Sequence, residues 1–114
     1  MLNRRDKGIL FCILGPCDRV EEKISGQTAD TFKTNADIRE IICFNIFQIG
    51  ELIKGLSNDF LIKYKNAPWK DIKGMRDFIG HWYETIDLDK VWYSAYNEVS
   101  PLKEYCQSIL EENK

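Results

Sequence analysis

The sequence predicts an all-α protein, built as an up-and-down helical bundle. Three observations carry this. Apolar residues recur at helical spacing along most of the chain. No segment alternates apolar and polar residues as a half-buried strand would. Proline and glycine fall where helices start or stop, as in "NAPW" and "VSPL". At 114 residues the chain has the length of one domain, taken as 1–114, with one core.

The first helix is expected over Arg5 to Ser25. Ile9, Ile13, Val20 and Ile24 keep one face, and Pro16 should kink it by removing a backbone donor. The apolar run Ile9 to Leu14 is too short for a secretion signal core and lacks a small-residue cleavage site. No segment approaches the roughly 20 apolar residues that span a bilayer. The expectation is a cytoplasmic protein without a membrane partner. "SGQTADTFKTN" reads as a loop from its Ser, Thr, Asp and Gly content.

The second helix starts near Asn35 and runs to about Gly55. Ile38, Ile41, Ile42, Ile49, Leu52, Ile53 and Leu56 mark a broad stripe, widened by Ile46 and Phe47. A short helix from about Asp59 to Tyr64 follows. "NAPW" opens the next, on which Trp69, Ile72, Met75, Phe78 and Ile79 keep helical spacing. Another begins near Leu88, and "SPLKE" restarts the last, with Ser100 able to cap and Pro101 able to sit in the first turn. That helix should end near Leu110. Trp69, Trp92, Phe44 and Phe47 are expected in the core, as aromatics at helical spacing usually are.

Composition narrows the function. Hydrophobic residues make up 44% and charged residues 30%, with a formal charge of −2, so no global basic field draws nucleic acid. Charge is uneven along the chain. From Phe60 to Arg76 five basic residues face one acid, and from Asp77 onward eight acids face three lysines. A solvated face accounts for the basic stretch; an anion-facing rim is the functional reading. Cys12, Cys17, Cys43 and Cys106 have no paired close spacing and one histidine to join them, a poor set for zinc. They are expected as buried reduced thiols. No metal and no cofactor is indicated.

The chemistry concentrates in "MRDFIGHWYETID", which holds His81, the single histidine of the chain, between Arg76 and Tyr83. On a helix turning about 100° per residue, His81 points about 140° away from Arg76, with α-carbons ~9 Å apart. Three arrangements reconcile the pair: a long guanidinium reach, a helix loosened after Gly80, or a site completed by a second subunit. RNA cleavage by its own 2′-hydroxyl needs a base, an acid and positive charge around the phosphate. Histidine serves either proton role, and arginine forks onto phosphate oxygens. A two-fold dimer would supply two imidazoles and two guanidiniums. On spacing alone, R-x4-H-x-Y is a weak signal.

The stretch "MRDFIGHWYETIDLDKVW" resembles the R-x4-H-x-Y signature of the HepT family within the HEPN superfamily. "PWKDIKGMR", the "IGEL" of Ile49 to Leu52, "IDLDKVW" and "VSPL" extend the resemblance over most of the chain, least before about residue 30. The resemblance implies a HEPN-type helical homodimer whose composite cleft cleaves RNA without a metal. It implies the toxin of a toxin–antitoxin pair, with an MntA-type nucleotidyltransferase as antitoxin. Arg76 and His81 would be catalytic, and Tyr83 would be the tyrosine modified with AMP. That modification adds phosphate charge and bulk near Arg76, where it would compete with RNA.

Supporting residues are Asp77, Gly80 and Glu51. Asp77 stands where family members often carry asparagine; it could pair with Arg76, orient it, or repel phosphate. Glu51 could orient His81 or Arg76, or form a surface salt bridge. Lys70, Lys73 and Trp82 are candidates for RNA contact, Trp82 by stacking on a base or packing in a dimer seam. A second hypothesis makes the chain a non-catalytic nucleotide- or partner-binding subunit of a small nucleotidyltransferase. A third makes it a structural helical dimer.

Overall fold

The structure, a computed structural model, describes residues 2–82 and 87–114, with His81 and Trp82 described by their backbone alone. Seven helices follow in order among these residues: α1 (Arg4–Ile24), α2 (Ala29–Thr34), α3 (Ala36–Lys54), α4 (Asn58–Lys63), α5 (Trp69–Trp82), α6 (Leu88–Asn97) and α7 (Val99–Glu112). The central helix α3 packs most extensively on α5 and α1, and α1 also lies against α7.

Local chemistry sets where these helices begin. Asn3 caps α1 by accepting from the Asp6 backbone N–H at 2.7 Å. Asp6 is buried, 2% exposed, yet its carboxylate is satisfied. It accepts from Asn3 Nδ2 at 2.9 Å, Ser57 N–H at 2.9 Å and Ser57 Oγ–H at 2.6 Å. Ser57 in turn caps α4 through Phe60 N–H. One carboxylate thus ties the start of α1 to the start of α4. Helix α1 continues through Pro16 without ending. The carbonyl that proline leaves without a donor belongs to exposed Cys12.

The stretch read as a loop contains a helix. Thr28 and Thr31 form a capping box, and α2 buries Phe32 completely against Trp92, with ring centroids 5.5 Å apart. The polar composition concealed one aromatic anchor. Leu10, Ile13, Ile42, Ile46, Ile49, Ile53, Ile72 and Leu102 form the centre of the core. Trp69 belongs to it, and Phe47 and Trp92 are half-buried against it. Phe44 does not: it is 58% exposed. Two residues from both Ile42 and Ile46, it points about 200° away from the buried stripe of α3.

Pro68 immediately precedes α5, and Trp69 Nε1–H donates to the Tyr64 carbonyl at 2.6 Å. Around this turn Phe60 packs tilted against Tyr64, and Trp69 makes edge-to-face contacts with Phe60 and Tyr105. Asp87 caps α6. The break before the last helix falls at Glu98, ahead of Ser100. Ser100 does not cap; its hydroxyl donates to Glu21, which also holds Lys103 at 2.8 Å. Pro101 does sit in the first turn of α7. Cys17, Cys43 and Cys106 are buried, whereas Cys12 is exposed because its side of α1 faces solvent. Burial pushes the Cys43 thiol up to about 11 and Cys106 to about 12, and raises Cys17 further still. No described helix is long and apolar enough to cross a membrane.

Candidate active site

The α3–α5 contact forms the candidate site. Gly50 is buried in the middle of α3, where a glycine costs about 1 kcal/mol relative to alanine in an isolated helix. Its missing side chain lets α5 approach. A Cβ at Gly50 would overlap Arg76 Cβ and come within 2.8 Å of Arg76 Cγ and 3.3 Å of the Ile72 carbonyl. The stem of Arg76 therefore lies directly on the α3 backbone, and its side chain is only 16% exposed.

Three groups fix the guanidinium from there. Arg76 Nε–H donates to Glu51 Oε1. Arg76 Nη1–H donates to Asp77 Oδ1 at 3.0 Å. The guanidinium carbon stands 4.9 Å from the centroid of the Phe47 ring, a cation–π contact. Partial burial disfavours the charge, but the hydrogen bonds to Glu51 and Asp77 outweigh it and the guanidinium pKa is raised. Lys54 lies 3.7 Å from the same Glu51 oxygen. Gly80 adds a second close approach: a Cβ there would be 3.0 Å from Phe47 Cε2 and 3.6 Å from Arg76 Nη1.

The structure joins Arg76, Glu51, Asp77 and Gly80 in one cluster. Of the readings open to Glu51, orienting His81, orienting Arg76 or forming a surface salt bridge, the described residues show its ion pair with Arg76. The helix runs through Gly80 to Trp82, so it does not loosen before His81. The side chains of His81 and Trp82, and all of Tyr83, lie outside the described residues. Lys70 and Lys73 are exposed on α5 and reach no carboxylate among the described residues. The spacing of apolar residues places Phe47 in the core and gives Gly50 no role. A glycine inside a strongly helical, apolar stretch was the available signal for a close backbone approach. Among the described residues no group of three or more His, Cys, Asp or Glu side chains could hold a metal ion.

Among the described residues the secondary structure is all helical, and it holds an arginine at a helix–helix contact five residues before a histidine. The match to known families is specific. Residues 13–109 match the family described as "HepT-like: Ribonuclease HepT-like", and the chain belongs to that family. Among its relatives, a gamma-glutamylcyclotransferase and candidate RNase of Methanocaldococcus jannaschii is 34% identical over 100 residues. The alignment covers 88% of this chain but 45% of that protein, so the chain spans less than half its length. A candidate RNase of Caldanaerobacter subterraneus subsp. tengcongensis is 28% identical over 102 residues, covering 90% of this chain and 91% of that one. A probable ribonuclease HepT of Thermococcus cleftensis is 33% identical over 55 residues, or 48% of this chain and 50% of that one. No solved structure matches.

Proposed function

We propose that this chain, as one HepT-like domain, is a metal-independent endoribonuclease and the toxin of a toxin–antitoxin pair. The observation that carries the reading is the immobilised Arg76. A guanidinium gripped at Nε by Glu51, backed by Phe47 and seated on Gly50 is preorganised, so little order is lost when it meets a phosphate.

His81 supplies proton transfer. As a base it removes the 2′-hydroxyl proton; the 2′-oxygen bonds to phosphorus, and the 5′-oxygen leaves with a proton from an acid. One imidazole cannot stand on both sides of the phosphate at once. Continuous helix also sets Arg76 and His81 about 140° apart on α5. A homodimer resolves both points by facing two copies of α5 across one cleft. Exposed Phe44 beside Arg76 suits the seam: with half-buried Phe47, buried Cys43 and Ile79, and the charged Glu40, it lines an open hollow of about 390 Å³.

The antitoxin in this reading is an MntA-type nucleotidyltransferase that places AMP on Tyr83, seven residues after Arg76 in the sequence. The added phosphate would then compete for the guanidinium that binds RNA. Purified protein tests the reading. RNA cleavage should survive chelator and vanish in Arg76→Ala and His81→Ala, while light scattering still reports a dimer. Unchanged cleavage by His81→Ala would overturn the assignment, and a stable nucleotidyltransferase complex without any nuclease activity would favour a binding subunit.

A further inference from the structure

We propose that a cavity one turn of α5 before Arg76 seats a nucleobase of the RNA strand, next to the phosphate held by Arg76; the proposal rests on the ribonuclease reading above. The cavity measures about 290 Å³, at the small end of ligand pockets and suited to one planar ring system. Ile53, Leu61, Ala67 and Trp69 give it an apolar floor. Its rim is Lys65, Lys70 and Lys73, with no carboxylate in the lining. None of these three lysines pairs with a carboxylate among the described residues.

An apolar slot ringed by three lysines matches a ligand that is flat and uncharged at one end and anionic at the other. A nucleotide has that form. The positions of the elements select an RNA strand as its source. Lys73 precedes Arg76 by three residues, so their side chains are neighbours on α5, about 5–6 Å apart at Cβ. Ile53 follows Gly50, on which the Arg76 stem lies, by three residues, so the two share a face of α3. Both helices therefore run from the stem of the arginine toward the cavity. A strand with its scissile phosphate on Arg76 would carry its next phosphates along Lys73 and Lys70 and could turn a base into the slot. Backbone charge plus base burial is the usual recipe for holding single strands.

The ligand itself provides the test. Binding of a short labelled single-stranded RNA to the full-length His81→Ala protein is measured by anisotropy, alongside versions carrying one abasic ribose at each position in turn. One position should weaken binding about tenfold when its base is removed. Ala67→Phe, which fills the slot but keeps the lysines, should abolish that sensitivity; Lys65→Ala and Lys73→Ala should weaken all the RNAs alike. Abasic RNAs all within twofold of the intact one, a sensitive position unchanged by Ala67→Phe, or no RNA binding would each overturn the proposal. Should Ala67→Phe fail to fold, the abasic series decides by itself. Cleavage of intact RNA by the parent is scored separately. Cleavage without base dependence removes the slot alone, whereas base-dependent binding without cleavage removes the nuclease reading alone.

Discussion

Gly50 on α3 and Arg76 on α5 are packed so closely that no side chain fits between them. This contact links the fold to the site, because the approach that buries Ile72 on α3 also lays the arginine stem on the helix backbone. Gly50→Ala forces the two helices apart. The expected loss is about 1–3 kcal/mol, an overpacking cost larger than the ~1 kcal/mol that alanine contributes to helix propensity. Gly74→Ala is the control, since nothing lies within 4 Å of a Cβ there. Chemical denaturation should show Gly50→Ala less stable and Gly74→Ala more stable than the parent.

Glu51 and Asp77 both bind Arg76, and they should differ in effect. Glu51 holds Nε and sets the direction of the guanidinium. Glu51→Gln should lower kcat about tenfold by loosening that placement. Asp77, 54% exposed, holds Nη1 and competes there with any phosphate. Asp77→Asn should lower KM for RNA severalfold and leave kcat near the parent value. Steady-state kinetics on one oligonucleotide separates the two; equal effects in the same direction would refute the division of roles.

Phe44 is exposed on the far side of α3 from the core. Phe44→Glu should leave the melting temperature within a few degrees of the parent but shift the protein from dimer to monomer and abolish cleavage. Sedimentation at several concentrations checks the first outcome. A dimer that persists with full activity would place the seam elsewhere.

Among the four cysteines, only Cys12 is exposed. A thiol reagent should label one site rapidly in the native protein and four after unfolding. Cys12→Ser should remove the fast phase entirely. The three others are shielded by burial, which also keeps them protonated.

Glu98, at the α6–α7 junction, has its pKa raised by burial, which outweighs a lowering contribution from Ser94, and the nearby Asp71 charge adds to the rise. The folded state thus binds this proton more tightly than the unfolded state. Its favourable contribution is complete below the ordinary glutamate range and is lost as pH rises through the folded pKa. Glu98→Gln should therefore raise stability at pH 7–8, by no more than about 1 kcal/mol given partial solvent screening, and change little at pH 4. Thermal melts at both pH values test the sign.

The periodicity of apolar residues made the helical class legible, because the 3.6-residue repeat of a buried face is a local property. Boundaries followed where caps are local too. Asn35 heads α3 and Ser57 heads α4 within a few residues of expectation. Helix α2 was hidden because its single anchor, Phe32, stabilises it only once Trp92 arrives from far along the chain. Phe44 failed as core because amphipathicity says that a face is buried, not how wide it is.

For the candidate site, the sequence by itself determined the inventory: Arg76, its carboxylate neighbours, one histidine and a run of lysines. Only tertiary structure decided which of them meet. Glu51 and Arg76 lie 25 residues apart, and their ion pair exists because Gly50 lets two helices touch. The same approach turned Phe47 from filler into a support for the guanidinium and left Lys65, Lys70 and Lys73 around one apolar hollow. Spacing along a chain fixes directions on one helix; contacts between helices depend on how closely their backbones can approach, which side-chain volume at the crossing sets.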